Sequence, residues 1–590
     1  MSSAPPPLTQ HKSHSEFSTC ALTLAAPQSQ SGRGRRRKRR KRTHQQQGGL
    51  ELMTTRSAFG YALQVTGFIL LGVPILVLFL QLPRAITPHR IDPSVLPCKL
   101  HQDAELSNAS TCVPFHRSLF PEGFVFGTAT SSYQVEGAAN VSGREPSIWD
   151  TFSRIPGKIS DGKTGDVASD QYDKYMGDID LMSQLNVDAY RFSISWTRVM
   201  KLGGETPEVN QEGVAYYNNL INGLLKKGIQ PFVTLYHWDL PQSLNDAYGG
   251  WIDRKVVNDY AQFAEACFTA FGDRVKHWIT FNEPQTFTVL GYGNGIHAPG
   301  RCSDRSKCTA GNTATEPYLA AHNVLLAHAA AVDVYKRKFK AMQGGAVGIS
   351  LDCEWGEPET NSAADVEAAE RHVLFQLGWF LDPIYRGDYP AVMRTNVGNR
   401  LPEFTADELA LLKGSLDFIG LNHYTSRFIS SGSGPGNALT SDHWQDQGIL
   451  SSVTSRNGSQ IGHQAASEWL YIVPWGIGKT LVWLTERYQK PLIFVTENGM
   501  DDLDGSKPVP ELLNDVNRID FYENYLSSVL SAIGNGSDVR GYFAWSLMDN
   551  FEWSMGYTRR FGLLYVDYDN QQRSLKESAK WFSRFLTRAK

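Results

Sequence analysis

The feature that most constrains this 590-residue chain is a series of eight short apolar runs that alternate with amphipathic stretches of helical period. Apolar runs of strand length followed by helices are typical of βα units, whose strands pair in parallel. The runs are Phe124–Ala129, Ala189–Ser195, Pro231–Tyr236, Val275–Phe281, Ala346–Leu351, Phe418–Leu421, Leu492–Val495 and Gly541–Trp545. Helical patterns between them include Gln211–Lys227, Val256–Phe271, Tyr318–Lys338 and Val516–Ile533. Together they predict that residues 117–590 form one α/β domain, a (β/α)8 TIM barrel with long βα loops.

Every apolar run contains or leads into polar or aromatic residues. In chain order these are Gln134, Arg191, His237-Trp238-Asp239, Asn282-Glu283, Glu354-Trp355, Asn422-His423-Tyr424, Glu497-Asn498, and Trp545 with Glu552. A single polar residue at a strand end is most often a satisfied structural group. All eight ends meet at one rim of a barrel, however, and that rim is where barrel enzymes carry their active sites. The pattern therefore predicts an active site at this rim.

Two of these residues, Glu283 and Glu497, are carboxylates on separate runs, the fourth and the seventh. Such a pair suits glycoside hydrolysis, in which one acid protonates the leaving oxygen while the other attacks or directs water at the anomeric carbon. A separation of about 5–5.5 Å would indicate a covalent intermediate and retained configuration. The sequence alone does not give that distance.

The segments TFNEP at residues 280–284 and VTENG at residues 495–499 resemble the two catalytic motifs of glycoside hydrolase family 1. Segments FGTAT (126–130), YRFSISW (190–196) and WSLMDNFEW (545–553) are similar to those of plant β-glucosidases. The resemblance covers roughly residues 115–588. These motifs are long and stand in the family's order, so the resemblance is specific.

The resemblance implies that Glu283 is the acid/base and Glu497 the nucleophile, with Arg191 and Tyr424 holding the nucleophile. An ionised Glu497 nearby should disfavour ionisation of Glu283 and keep it protonated as the acid. The residues that the resemblance places around the sugar are Gln134, His237, Asn282, Tyr424, Trp545, Glu552 and Trp553. Without the resemblance, a tryptophan such as Trp545 could equally be a core residue.

The aglycone side is less well specified. Position relative to the motifs predicts that Thr286, Leu290, His297 and Trp469 line it, which leaves phenolic glucosides and short β-linked oligosaccharides both open as substrates. Cys302 and Cys308 flank a short loop that borders this region in the family, and they are predicted to form a disulfide. We expect no cofactor and no metal, because the histidines lack ligand spacing and no phosphate or dinucleotide loop is found.

The predicted function is that of a retaining β-glycosidase, a β-glucosidase that hydrolyses terminal non-reducing β-D-glucosyl residues through a covalent glycosyl-enzyme. Activity on β-fucosides, β-galactosides or β-mannosides is open on the same scaffold. One alternative is a transglycosidase that passes the same intermediate to an alcohol. The other is a membrane-tethered glycan-binding protein without turnover. The sequence does not indicate an oligomeric state.

Residues 1–52 are polar and low in complexity, and they carry a net charge of +8, which leaves −11 for the rest of the chain. This composition predicts a disordered tail. An acidic main domain makes nucleic acid an unsuitable partner for it, although the basic run alone could be a nuclear-localisation or RNA-binding tract.

Residues 61–80 (YALQVTGFILLGVPILVLFL) are uncharged and long enough to cross a bilayer as a helix. Residues 53–82 are therefore predicted to be a signal-anchor or, if translation starts at Met53, a cleaved signal peptide. The proline-rich residues 83–116 read as a linker. A second close cysteine pair, Cys98 and Cys112, and sequons at Asn108, Asn140, Asn457 and Asn535 favour a glycoprotein of the secretory pathway, membrane-anchored or secreted. A cytosolic enzyme is the alternative if neither disulfide forms.

Overall fold

The computed structural model describes residues 115–588, except residues 205, 433, 435–440 and 506. The predicted basic tail, the hydrophobic segment 61–80 and nearly all of the predicted linker lie outside the described residues. So do Cys98, Cys112 and the sequon at Asn108. Within the described part of the chain, no helix is both long enough and apolar enough to cross a membrane.

Eight parallel strands close into a barrel, and each pairs with its neighbours in sequence. They are β1 (Val125–Ala129), β2 (Ala189–Ser193), β3 (Gln230–Tyr236), β4 (His277–Asn282), β5 (Ala346–Asp352), β6 (Phe418–Asn422), β7 (Leu492–Asn498) and β8 (Asp538–Trp545). The circle closes where β1 pairs with both β8 and β2. The predicted (β/α)8 barrel is confirmed, and each observed strand end lies within three residues of the predicted one.

The helices that follow the strands form the outer layer. They are α1 (Gln171–Gln184), α2 (Gln211–Lys226), α3 (Lys255–Phe271), α4 (Glu316–Lys338), α5 (Ala363–Val373), α6 (Pro474–Arg487), α7 (Val516–Gly534) and α8 (Glu577–Leu586). Helix α5 continues through a π-helical turn at Leu374–Gly378 into Trp379–Arg386. The four predicted helices agree with the observed bounds to within two residues.

Large aromatic rings fill the barrel interior below the rim. The ring of Phe232 on β3 lies 4.8 Å from that of Phe543 on β8 and 5.3 Å from that of Phe494 on β7. Gly127 on β1 makes room for this cluster, because a Cβ there would lie 2.5 Å from the Phe543 ring. This packed aromatic cluster holds the strands in place, so the residues at their carboxyl ends have fixed positions.

Several βα loops carry structure of their own. Trp355–Pro358, after β5, and Ser426–Ser431, after β6, pair in parallel, and Ile449–Ser452 adds to them as a third strand. A nine-residue helix, Pro284–Tyr292, starts immediately after the end of β4. These elements lie beyond the carboxyl ends of the barrel strands.

The loop after β8 is anchored by Asp549. Its carboxylate accepts hydrogen bonds from Arg560 (2.7 Å) and Lys576 (2.9 Å), and all three side chains are buried. Burial favours the neutral acid, but the two cations outweigh it and hold the pKa of Asp549 below its usual value. This ion-paired group fixes the segment that carries Trp545, Glu552 and Trp553.

Replacing Asp549 by alanine leaves the buried charges of Arg560 and Lys576 without their carboxylate. We expect a loss of about 3–5 kcal/mol of stability, seen as a lower midpoint of thermal unfolding followed by circular dichroism at pH 7. Asp569→Ala, in an exposed turn nearby, is the control and should leave the midpoint unchanged. Equal midpoints for the two variants would contradict the anchoring role.

Candidate active site

A cavity of about 380 Å³ opens at the carboxyl ends of the strands. Of the residues predicted from sequence, those that line it are His237, Asn282, Glu283, Thr286, Leu290, His297, Tyr424, Trp469, Glu497, Trp545, Glu552 and Trp553. Arg191 and Gln134 are fully buried and contact residues of the wall instead. The strand-end pattern therefore located one site.

Glu497 lies on β7 where the strand is irregular. The register of β7 against β6 shifts between Val495 and Glu497, and such irregularities commonly re-aim side chains near active sites. One carboxylate oxygen, Oε1, accepts a hydrogen bond from Arg191 Nη1 at 2.5 Å, and Oε2 accepts one from Tyr424 OH at 2.7 Å. Both oxygens are thus oriented, and the charge is paired with a guanidinium that has no exposed surface. An anion held in this way is suited to attack an electrophilic carbon.

Glu283 connects β4 to the helix Pro284–Tyr292 and has a left-handed backbone with φ of +47°. The following Pro284 disfavours the right-handed helical region for Glu283. The left-handed conformation is costly for a residue other than glycine, by about 1 kcal/mol or more, and such strain clusters at functional sites. Asn422 at the end of β6 donates a hydrogen bond of 2.7 Å to Glu283 Oε1.

The surroundings of Glu283 favour its protonated form. Burial, together with the negative charges of Asp352 and Glu497, raises the pKa of Glu283 well above its usual value. The hydrogen bond from Asn422 and the charge of Arg191 act in the opposite direction but do not reverse the shift. The protonated form that these surroundings favour is the one that can give a proton to a leaving group.

Asn282 and Asn422 link the two carboxylates. Asn282 Oδ1 accepts from Arg191 Nη2 at 2.6 Å and from Asn422 Nδ2 at 3.0 Å. Thr496, the neighbour of Glu497, donates to Asn422 Oδ1 at 2.7 Å. Asn422 is therefore a site residue that the sequence showed only as one of the polar strand ends.

His237 also belongs to this network of polar side chains. Its Nε2 lies 3.0 Å from Asn282 Nδ2, and its Nδ1 is buried without a partner among the described residues. Burial, followed by the positive charge of Arg191, lowers the pKa of His237 well below its usual value. A neutral imidazole with a free nitrogen at the cavity wall can bind a hydroxyl group.

Aromatic rings form one wall of the inner cavity. The ring of Trp553 lies 4.5 Å from that of Trp238, and the Trp545 ring lies 5.9 Å from His237, nearly parallel to it. Flat apolar faces of this kind suit the C–H face of a sugar ring.

Glu552 lies beside these rings. Burial, then the charges of Asp501 and Glu497, raise the pKa of Glu552 well above its usual value. Gln134 Nε2 lies 3.3 Å from Glu552 Oε2 and also donates to Asn550 Oδ1 and the Phe551 carbonyl. The amide of Gln134 is engaged within the protein, so its predicted contact with the sugar stays a prediction.

The cavity wall contains all four residues predicted to line the aglycone side, together with others that the sequence analysis did not single out. The additional wall residues include Asp352, Gln376, Trp444 and Ile296, and also Glu354, which was predicted only as a strand-end residue. Asp352 is the last residue of β5, two positions before the Glu354-Trp355 pair chosen from the pattern. Trp444 lies in a one-turn helix, His443–Asp446, too short to show a periodic signal. Burial lowers the pKa of His297 to about 3, so its ring is neutral.

The predicted disulfide between Cys302 and Cys308 is confirmed, with Cα atoms 5.5 Å apart. Lys158, in the loop after β1, donates hydrogen bonds to the carbonyl oxygens of Gly295 (3.0 Å) and Lys307 (3.2 Å). The closed loop is therefore fastened next to Ile296 and His297 at the cavity mouth. Within the described residues, no cluster of three or more histidine, cysteine or acidic side chains is arranged to hold a metal ion.

The rim of this parallel eight-stranded barrel holds one ion-paired carboxylate and one carboxyl group whose surroundings favour its protonated form, beside aromatic faces. This arrangement defines the class as a barrel glycoside hydrolase. The family model "Glycosyl hydrolase family 1" matches residues 116–590. The chain belongs to this family, as its motifs indicate.

Similar proteins include several from plants. "Beta-glucosidase 42" of Arabidopsis thaliana is 53% identical over 488 residues, which cover 82% of this chain and 97% of the relative. "Beta-glucosidase 34" of Oryza sativa subsp. japonica is 54% identical over 477 residues, covering 80% of this chain and 92% of the relative. A solved rice β-glucosidase mutant in a covalent complex with glucose is 51% identical, with a TM-score of 0.79, and the match covers 80% of this chain and all of that one.

The charge of Asp352 gives a testable pH dependence. Glu283 must be protonated to act as an acid, so kcat/KM falls as pH rises through its pKa. Asp352→Asn removes a negative charge that raises this pKa, and the alkaline limb of the pH profile should move down by about 0.5–1 pH unit. The measurement is kcat/KM for an aryl β-D-glucoside across pH 5–9.

Asp180→Asn on α1 is the matched control, because Asp180 is exposed and pairs with Lys227 at the surface. It should leave the limb in place. An unshifted limb in Asp352→Asn would contradict the electrostatic link between Asp352 and Glu283.

Proposed function

We propose that this protein is a retaining β-glucosidase that hydrolyses terminal non-reducing β-D-glucosyl residues by double displacement. Glu497 attacks the anomeric carbon while Glu283 transfers its proton to the leaving oxygen, which gives a covalent glycosyl-enzyme and a free aglycone. Glu283 then takes a proton from water, which attacks the anomeric carbon and releases glucose and the Glu497 carboxylate. The observation that carries the proposal is the pair of donors, Arg191 and Tyr424, on the two oxygens of Glu497.

The two carboxyl groups exchange roles because their charges interact. While Glu497 is ionised, it helps to keep Glu283 protonated, as the first step requires. Once Glu497 is an ester its charge is gone, so Glu283 ionises more readily and can act as the base. Tyr424, whose pKa is raised by burial and by the charges of Glu497 and Glu283, keeps its proton throughout and remains a donor.

The similar proteins support both the sugar and the mechanism. Relatives that share about half of their residues with this chain carry the name β-glucosidase. The rice relative has been captured with glucose covalently attached. The free Nδ1 of His237 and the carboxyl of Glu552 supply hydrogen-bonding groups for the hydroxyls of a glucosyl ring.

The alternatives gain no support of their own. A transglycosidase uses the same glycosyl intermediate and the same residues, and only the acceptor differs. A binding protein without turnover would have no need for two carboxyl groups held as Glu283 and Glu497 are, and both line the cavity.

For its location, we propose entry into the secretory pathway, with the barrel lumenal or extracellular and either anchored through residues 61–80 or released after cleavage. The Cys302–Cys308 disulfide supports an oxidising compartment, and the apolar sequence of residues 61–80 supports membrane insertion. N-terminal sequencing of the mature protein, combined with membrane fractionation, distinguishes the two forms.

The proposed mechanism is tested with residues 86–590, 4-nitrophenyl β-D-glucoside and proton NMR of the first product. The wild type should release β-glucose first, before mutarotation. Glu283→Ala should lose about 10²–10⁴-fold in kcat/KM on substrates with poor leaving groups, and Glu497→Ala should lose more.

Glu367→Ala is the control, because Glu367 is exposed on the outer face of α5. It should retain full activity. Initial release of α-glucose would show inversion and remove Glu497 from the nucleophile's role. Full activity in Glu283→Ala on alkyl glucosides would remove Glu283 as the acid.

A further inference from the structure

The ionisable side chains that line the cavity are predominantly acidic. Five carboxyl groups line it, and no lysine or arginine does so among the described residues. The five are Glu283, Glu497, Glu552, Asp352 and Glu354. The first three are accounted for by the proposed reaction and the sugar subsite. Glu354 has no part in that account, and Asp352 enters it only through its charge, which raises the pKa of Glu283.

Asp352 is a charge without a cationic partner among the described residues. Its Oδ2 accepts a hydrogen bond of 2.8 Å from Thr286, and its Oδ1 is buried without any partner. Burial raises the pKa of Asp352 to about 6, so the group is mostly ionised at pH 7. In a partly desolvated cleft, its field is screened much less than that of a surface charge.

Glu354 is positioned by a neighbouring cation that also fixes an aromatic wall. Arg427 donates to Glu354 Oε1 at 2.9 Å and to the backbone carbonyl of Trp469 at 2.5 Å. About one third of the Glu354 side chain is exposed. Arg427 compensates Glu354 but does not line the cavity, so a ligand meets the carboxylate rather than the guanidinium.

The wall of the same cavity also contains large apolar side chains that are exposed to solvent. Ile296 is 48% exposed, Trp444 44% and Trp469 41%, values that are high for such residues. They are held in place rather than loose. Asp446, two residues after Trp444, forms a buried bidentate pair with Arg400.

His443, directly before Trp444, stacks on Trp379 with ring centres 5.0 Å apart. The cavity wall therefore contains both exposed tryptophan side chains and an uncompensated carboxylate. Tryptophan faces attract cations as well as flat apolar groups, so both features favour the same ligand charge.

We propose that the aglycone side selects aromatic aglycones that carry a cationic or hydrogen-bond-donating group, and discriminates against anionic aglycones. The inference deepens the proposed β-glucosidase function and rests on it. The tryptophan faces can stack on an aromatic aglycone, and Asp352 and Glu354 set the charge that this aglycone can carry.

The test compares three β-D-glucosides that differ only in the para substituent of the phenol: aminomethyl, hydroxymethyl and carboxylate. At pH 7 and low ionic strength these are cationic, neutral and anionic. For the wild type, we expect kcat/KM to fall in that order, with about a tenfold or larger ratio between the cationic and anionic substrates. A ratio near one, or the reverse order, would overturn the inference without the need for any variant.

Asp352→Asn keeps the shape of the side chain and removes its charge. The cationic-to-anionic ratio should fall at least about threefold in this variant. Any general loss caused by the altered pKa of Glu283 affects all three substrates alike and leaves the ratio unchanged. Glu354→Gln is the second variant and should lower the ratio in the same direction, whereas the surface control Asp180→Asn should leave it as in the wild type.

The outcomes separate the inference from the function on which it rests. Turnover of 4-nitrophenyl β-D-glucoside with no difference among the three substrates overturns the aglycone inference alone. So does an unchanged ratio in both Asp352→Asn and Glu354→Gln. Absence of turnover on every β-glucoside overturns the proposed function, and the inference falls with it.

Discussion

Arg191 is a guanidinium with no exposed surface in the middle of the barrel, and its charge must be compensated there, since a buried unpaired ion costs several kcal/mol. Glu497 supplies that compensation. The guanidinium of Arg191 donates its other hydrogen bonds to the Thr496 carbonyl and to Asn282 Oδ1. One side chain from β2 thus connects the ends of β4 and β7. The positions of both catalytic candidates depend on this connection, because Asn282 directly precedes Glu283.

The division of labour between the two glutamates follows from their surroundings. Glu497 has a cation and a phenol on its oxygens, whereas Glu283 has one amide donor and faces the negative charges of Asp352 and Glu497. The charges around Glu283 favour its protonated form, whereas the donors on both oxygens of Glu497 suit an anion. The charge of Asp352 has two roles in this account. It raises the pKa of Glu283, and it sets the charge that an aglycone can carry.

Most of the fold and the residues around the two glutamates could be predicted from the sequence, because both depend on patterns within short segments of the chain. Strand and helix periodicity gave the barrel to within a few residues, and the residue types at strand ends gave Arg191, His237, Glu283 and Glu497. The outer wall could not be predicted in the same way. Trp444 reaches the cavity because Arg400 holds Asp446 from 46 residues away, and Asp352 differs from its neighbour Glu354 only in what surrounds it. Such long-range contacts leave no periodic trace in the chain.

The central claim is that Glu497 forms the covalent bond to the sugar. A 2-deoxy-2-fluoro-β-D-glucoside with a good leaving group tests it most directly, because fluorine slows both steps and the leaving group restores only the first. Intact mass should rise by one fluoroglucosyl unit, with the label on the peptide that contains Glu497 and no label in Glu497→Ala. A label on any other residue, or inactivation without a covalent adduct, would contradict the account.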